Sequence, residues 1–125
     1  MSDNVNHPDH YTRWPVEVID ITEREGFLYG NVLKYALRAG AKTGASYEED
    51  ISKAVWYASR YVGNIARVMS VEDGVRSLGE AAEDALAYLA SRPEGTTEMR
   101  EHLQGRLAAV HDRVEKELCE AWDAT

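Results

Sequence analysis

Lys34, Arg38 and Lys42 recur at i, i+4 and i+8, so on a helix they share one cationic stripe. Asp50, Lys53, Tyr57 and Arg60 follow at helical steps and make a second polar stripe. If the two segments pack antiparallel about the turn at 40–46, the stripes border one cleft. Such a cleft has what a phosphate ligand requires. The cations supply charge, Tyr35 and Tyr57 can stack on a base, and Asp50 can orient a basic side chain. The competing reading is a pair of ordinary solvated helix faces with local ion pairs.

Two nearby stretches suggest more specific chemistry and supply less. "RAGAKTG" at 38–44 has a lysine, a threonine and flanking glycines. A phosphate loop needs G-x-x-x-x-G-K-[ST] after a strand, so that successive backbone N–H groups wrap the phosphates. Here Ala41 precedes Lys42-Thr43, position 36 is an alanine inside a helical pattern, and no strand precedes it. The segment reads as a helix–helix turn, with Gly40 and Gly44 supplying left-handed backbone. In "NHPDHY", His7 and His10 bracket Pro8-Asp9. Two histidines and Asp9 could bind a metal, but no cysteine or third histidine nearby completes the set, so no metal is expected and the segment reads as an arm that folds over a ligand or packs through Tyr11.

The elements that must position these residues are helical. After residue 15 the apolar spacing has helical period almost throughout, and no segment alternates as a strand. The expectation is an all-α protein: a small helical bundle with an ordered N-terminal arm and a C-terminal antiparallel helical hairpin. Pro15 suits the first turn of a helix that runs to Gly26. A second helix is expected from Gly30-Asn31, with Asn31 as cap, to Gly40. Ser46-Tyr47-Glu48-Glu49 fits a capping box that opens a long helix with Ile51, Ala54, Val55, Ala58, Val62, Ile65 and Met69 inward. Trp56 reads as a core residue of that helix. A break near Ser70 leads to a seam of Val71, Val75, Leu78, Ala82, Ala85 and Leu89. "SRPEGTT" turns the chain into a last helix carrying Met99, Leu103, Leu107, Val110, Val114 and Leu118 on one side.

With 125 residues the chain is long enough for one core. Residues 1–67 hold the candidate site; residues 68–125 read as an acidic hairpin for packing or oligomerisation, and a homo-oligomer is expected. The net charge of −8 argues against general nucleic-acid binding, yet residues 28–67 carry 6 basic against 3 acidic side chains. A small anion suits that local excess. No apolar run approaches the ~20 residues of a membrane span. The N-terminus has no signal pattern, and the single cysteine, Cys119, fits a reducing, cytoplasmic setting.

Four blocks together carry a family resemblance. "NHPDHYTRWPVEVIDITE", "YGNVLKYALRAGAKTG" and "EEDISKAVWYASRYV" contain an HPxHY element, an EVID helix, a GNxxKYxxRxGxK helix and turn, and a D-xxKAxWY helix, in that order. They resemble the phage-encoded SaV-like family over residues 5 to about 62. "TRWP" at 12–15 departs from the glycine-containing turn common there. The resemblance implies a phage origin, expression in the host cytoplasm, and a role that is unknown or described as nucleotide kinase. It selects His7, His10, Tyr11, Asn31, Lys34, Tyr35, Arg38, Lys42, Asp50, Lys53 and Tyr57, largely the residues of the two stripes.

The expected function is binding of a nucleotide or similar small phosphate ligand, with nucleoside-monophosphate kinase activity without a P-loop as the specific form. Lys34, Arg38, Lys42 and Lys53 would hold phosphates, and Asp50 or His10 would act as acid, base or positioning group. A kinase would call on Mg²⁺, for which the sequence offers no obvious cage. Alternatives are a non-catalytic nucleotide-sequestering protein, an interaction protein, and an all-α pyrophosphohydrolase using Glu80, Glu83, Glu98 and Glu101.

Overall fold

The computed structural model describes residue 14 and residues 17–41, 46–92 and 96–123. Five helices follow in chain order: α1 (Val18–Thr22), α2 (Phe27–Arg38), α3 (Tyr47–Ala66), α4 (Val71–Ala90) and α5 (Thr96–Asp123). No strand occurs among the described residues, so the protein is an all-α bundle. The expected roles of Gly44, Pro93 and Gly95 fall outside the described residues.

Local chemistry explains most boundaries. Ser46 caps α3 by accepting a hydrogen bond from the Glu49 backbone N–H at 3.1 Å. Ser70 does the same for α4 through the Asp73 N–H at 3.1 Å, which ends the helical run where the sequence suggests a break. Gly40 has φ +82, a left-handed turn that a side chain would strain. Two boundaries differ from expectation. The first helix is a single short turn set that ends at Thr22, and Gly26, in extended backbone, caps the next helix instead of stopping the previous one. Consequently α2 begins three residues before Gly30. Asn31 lies inside it, its side-chain N–H₂ donating to the Phe27 carbonyl at 2.8 Å. Its amide satisfies an interior carbonyl and caps nothing.

The core runs through all five helices. Val18 and Ile21 of α1 join Val32, Leu33, Ala36 and Leu37 of α2, the Ile51–Val62 face of α3, Leu78, Ala85 and Leu89 of α4, and Met99 to Val114 of α5. Leu118 is only half-buried, where α5 runs on toward its end, and Met69, expected inward on α3, lies past the end of that helix and is exposed. α3 is central, since it packs against α2, α4 and α5, while α5 also reaches α2. Its approach to α4 is close at Gly74, where an added Cβ would sit 2.9 Å from the Val62 carbonyl oxygen. Burial of this common apolar face, at roughly 25 cal/mol per Å², holds the α2–α3 pair in one register.

Candidate functional site

One buried ion pair ties the end of α2 to the start of α3. The Arg38 guanidinium meets the Asp50 carboxylate at 2.8 Å, with the two side chains 5% and 0% exposed. Arg38 closes α2 and Asp50 sits in the first turn of α3, so the pair straps together the two ends of the 39–46 turn. Asp50 Oδ1 takes this bond; Oδ2 has no hydrogen-bond partner among the described residues.

Tyr35 lies one turn before Arg38 and is ringed by cations. The Arg38 guanidinium carbon is 4.6 Å from its ring centroid, the Lys34 Nζ 4.5 Å and the Lys53 Nζ 5.5 Å. Arg38 is spent on Asp50, whereas Lys53 is exposed and Lys34 half-exposed. Both lysines thus lend positive potential to the surface beside Tyr35, to which an anion is drawn. Tyr57 stacks beside Tyr35, with centroids 5.9 Å apart and planes 14° from parallel. A shallow recess of about 170 Å³ between Phe27, Asn31 and Lys34 borders the same surface.

The structure thus brings together six of the residues singled out from sequence: Lys34, Tyr35, Arg38, Asp50, Lys53 and Tyr57. Asn31 lines the neighbouring recess. His7, His10, Tyr11 and Lys42 lie outside the described residues. Trp14, just past the first of these segments, packs its ring 4.8 Å from that of His102 on α5. On that helix Arg106 donates to His102 and covers the Tyr47 ring at the start of α3 at 4.1 Å.

Two residues escaped the sequence reading. Trp56, expected in the core, is 59% exposed, and Phe27, expected ahead of the second helix, is 76% exposed in its first turn. Both touch Tyr57 nearly edge-on, at 5.0 Å and 6.0 Å between centroids. For Trp56 the signal was present: it lies three residues after Lys53 and four before Arg60, on the polar stripe and beside the apolar seam. Arg60 stands 5.9 Å from the Trp56 ring.

Behind α2 lies a different environment. Tyr29 is buried, and its hydroxyl has no hydrogen-bond partner among the described residues. Burial, reinforced by Glu25, Tyr61 and Asp84, pushes this phenol well above the ordinary range, so it stays neutral. Burial and then the Asp84 carboxylate raise the Glu25 carboxyl, which Arg24 partly offsets.

Metal-binding geometry is sparse. Among the described residues, the group whose ligand atoms could meet on one ion is His111, Asp112 and Glu115, on the outer part of α5. The Glu80, Glu83, Glu98 and Glu101 side chains are all exposed and do not converge in such a group. Among the described residues no helix is long and apolar enough to cross a membrane.

Comparison with known proteins agrees with the sequence blocks. Residues 5–59 match the family of proteins of unknown function designated DUF3310. The chain is 38% identical over 66 residues to the gene 1.7 protein of Enterobacteria phage T3, an alignment covering 46% of this chain and 40% of that protein. It is also 38% identical over 64 residues to the nucleotide kinase gp1.7 of Escherichia phage T7, covering 44% and 33% of the two chains. The chain thus spans two fifths or less of the length of these relatives. The resemblance to a phage family is borne out over the N-terminal half. No solved structure matches.

Proposed function

From an N-terminal half that matches DUF3310 and is related to phage gene 1.7 proteins, we propose that this chain binds a nucleotide or similar phosphate ligand on the α2–α3 face. The observation that carries the reading is the Tyr35 ring framed by Lys34, Arg38 and Lys53 from two helices. Lys34 and Lys53 would hold the phosphate by charge-assisted hydrogen bonds. Arg38, fixed by Asp50, would keep Tyr35 in place, which makes Asp50 a positioning residue. His7, His10, Tyr11 and Lys42 would complete the site from the adjoining segments.

The specific activity proposed is nucleoside-monophosphate kinase. A monophosphate oxygen attacks the γ-phosphorus of a triphosphate, and the bond to the β-phosphate oxygen breaks. Such transfer depends on positioning and charge neutralisation, with little need of a protein nucleophile. One relative is named a nucleotide kinase, which supports the choice. A second reading, retention of nucleotide without turnover, is favoured by the burial of Asp50, which turns its carboxylate to Arg38 and away from solvent. Assembly as a homo-oligomer in the host cytoplasm belongs to the same proposal.

The test is incubation of purified protein with ATP, Mg²⁺ and the four deoxynucleoside monophosphates, with chromatographic separation of all nucleotides. New diphosphates, lost in Lys34→Ala and Lys53→Ala, support the kinase. No turnover, with thermal stabilisation by a nucleotide, supports retention. Neither turnover nor stabilisation refutes both.

A further inference from the structure

We propose that Trp56 and Phe27 form a base-stacking platform, so that the ligand at Lys34 and Lys53 is a nucleotide and not a base-free sugar phosphate. The inference rests on the phosphate site just described and adds the feature that selects its occupant. Trp56 and Phe27 are large apolar side chains at 59% and 76% exposure, although an apolar core is available to both helices. They reach Tyr57 from two different helices, with ring planes 84° and 78° from its own. Each therefore keeps a face uncovered by Tyr57. Tyr57 in turn stacks on Tyr35, the ring the lysines surround.

The result is a ledge of four rings with cations at both ends, Lys34 and Lys53 at Tyr35 and Arg60 at Trp56. Every nucleobase offers a π-face, and stacking on an exposed aromatic is among the strongest sequence-tolerant contacts open to it. The flanking charge also argues against a second copy of the chain as occupant. A two-fold contact through this ledge would bring the Lys34, Lys53 and Arg60 surface of one copy against the same cationic surface of the other.

The experiment is calorimetric titration of the full chain with dAMP, dCMP and 2-deoxyribose 5-phosphate. Both nucleotides should bind at least about tenfold more tightly than the sugar phosphate, and Trp56→Ala should erase about tenfold of nucleotide affinity. Phe27→Ala should act in the same direction, Trp56→Phe should retain most of the affinity, and the sugar phosphate should be indifferent to all three. Far-ultraviolet circular dichroism establishes that each variant is folded. Equal affinity for sugar phosphate and nucleotides, or no effect of Trp56→Ala, overturns the platform and leaves the phosphate site standing. A Trp56→Ala variant that changes particle mass in light scattering but not nucleotide affinity overturns it in favour of a contact between copies. Binding of none of the three ligands, or binding that ignores Lys34→Ala and Lys53→Ala, overturns the phosphate site and the platform with it.

Discussion

Asp50→Ala removes one half of the buried pair and leaves the Arg38 guanidinium, 5% exposed, without its carboxylate. Removing one partner of a buried pair costs about 3–5 kcal/mol, a large share of the roughly 5–15 kcal/mol that holds a domain folded. For 125 residues at about 2.1 cal/mol/K each, the unfolding entropy is ~0.26 kcal/mol/K, so the thermal midpoint should fall by about 11–19 °C. Arg38→Ala should cost a similar amount, because Asp50 is completely buried. The double variant Arg38→Met/Asp50→Leu replaces both charges by apolar groups of comparable size, and should recover to within about 2 kcal/mol of the wild type. Urea unfolding followed at 222 nm, across wild type, Arg38→Met, Asp50→Leu and their double variant, closes a cycle that measures the coupling directly. A single-variant loss below about 1 kcal/mol, or a double variant as unstable as the two singles added, would refute the idea that the two charges depend on each other in holding the end of α2 to the start of α3.

Three further outcomes follow from the packing and the titrating groups. Gly74→Ala should destabilise despite the better helix propensity of alanine, because its Cβ meets the Val62 backbone at 2.9 Å, whereas Gly79→Ala, with nothing within 4 Å, should gain up to about 1 kcal/mol; chemical denaturation compares them. Ser70→Ala should cost about 1 kcal/mol by stripping the α4 cap, read as a lower urea midpoint with an unchanged slope. The Glu25 carboxyl is raised above its ordinary 4.5 in the folded protein, so folding takes up a proton in the window above that value. Stability from this group therefore falls as pH rises through the window. Glu25→Gln should raise the thermal midpoint at pH 7 and lose that advantage below pH 4.5, where the wild-type carboxyl is itself protonated.

The helices and the inward faces were legible from residue order alone. Apolar side chains at three- and four-residue steps identify the core stripe of α3 through Ile51, Ala54, Val55, Ala58 and Val62, and that of α5 from Met99 to Val114. Capping is equally local, since Ser46 and Ser70 satisfy N–H groups three residues away. The grouping of Lys34, Tyr35, Arg38, Asp50, Lys53 and Tyr57 was also readable, given only that two helices joined by a short turn run antiparallel.

Tertiary packing decided what each of those residues can do. Periodicity assigns a side chain to a stripe but not to a depth, because depth depends on which neighbour leans over the stripe. So Arg38 and Asp50, polar members of exposed-looking stripes, are buried against each other, while Trp56, apolar and one step from the seam, stands in solvent. The start of α2 depended on the fold as well. Gly26 has no side chain with which to announce a cap, and its extended backbone places Phe27 beside Tyr57 of the next helix. Local patterning determined the helices and the list of polar residues. Packing between helices selected the lysines that reach solvent and the rings that keep their faces open.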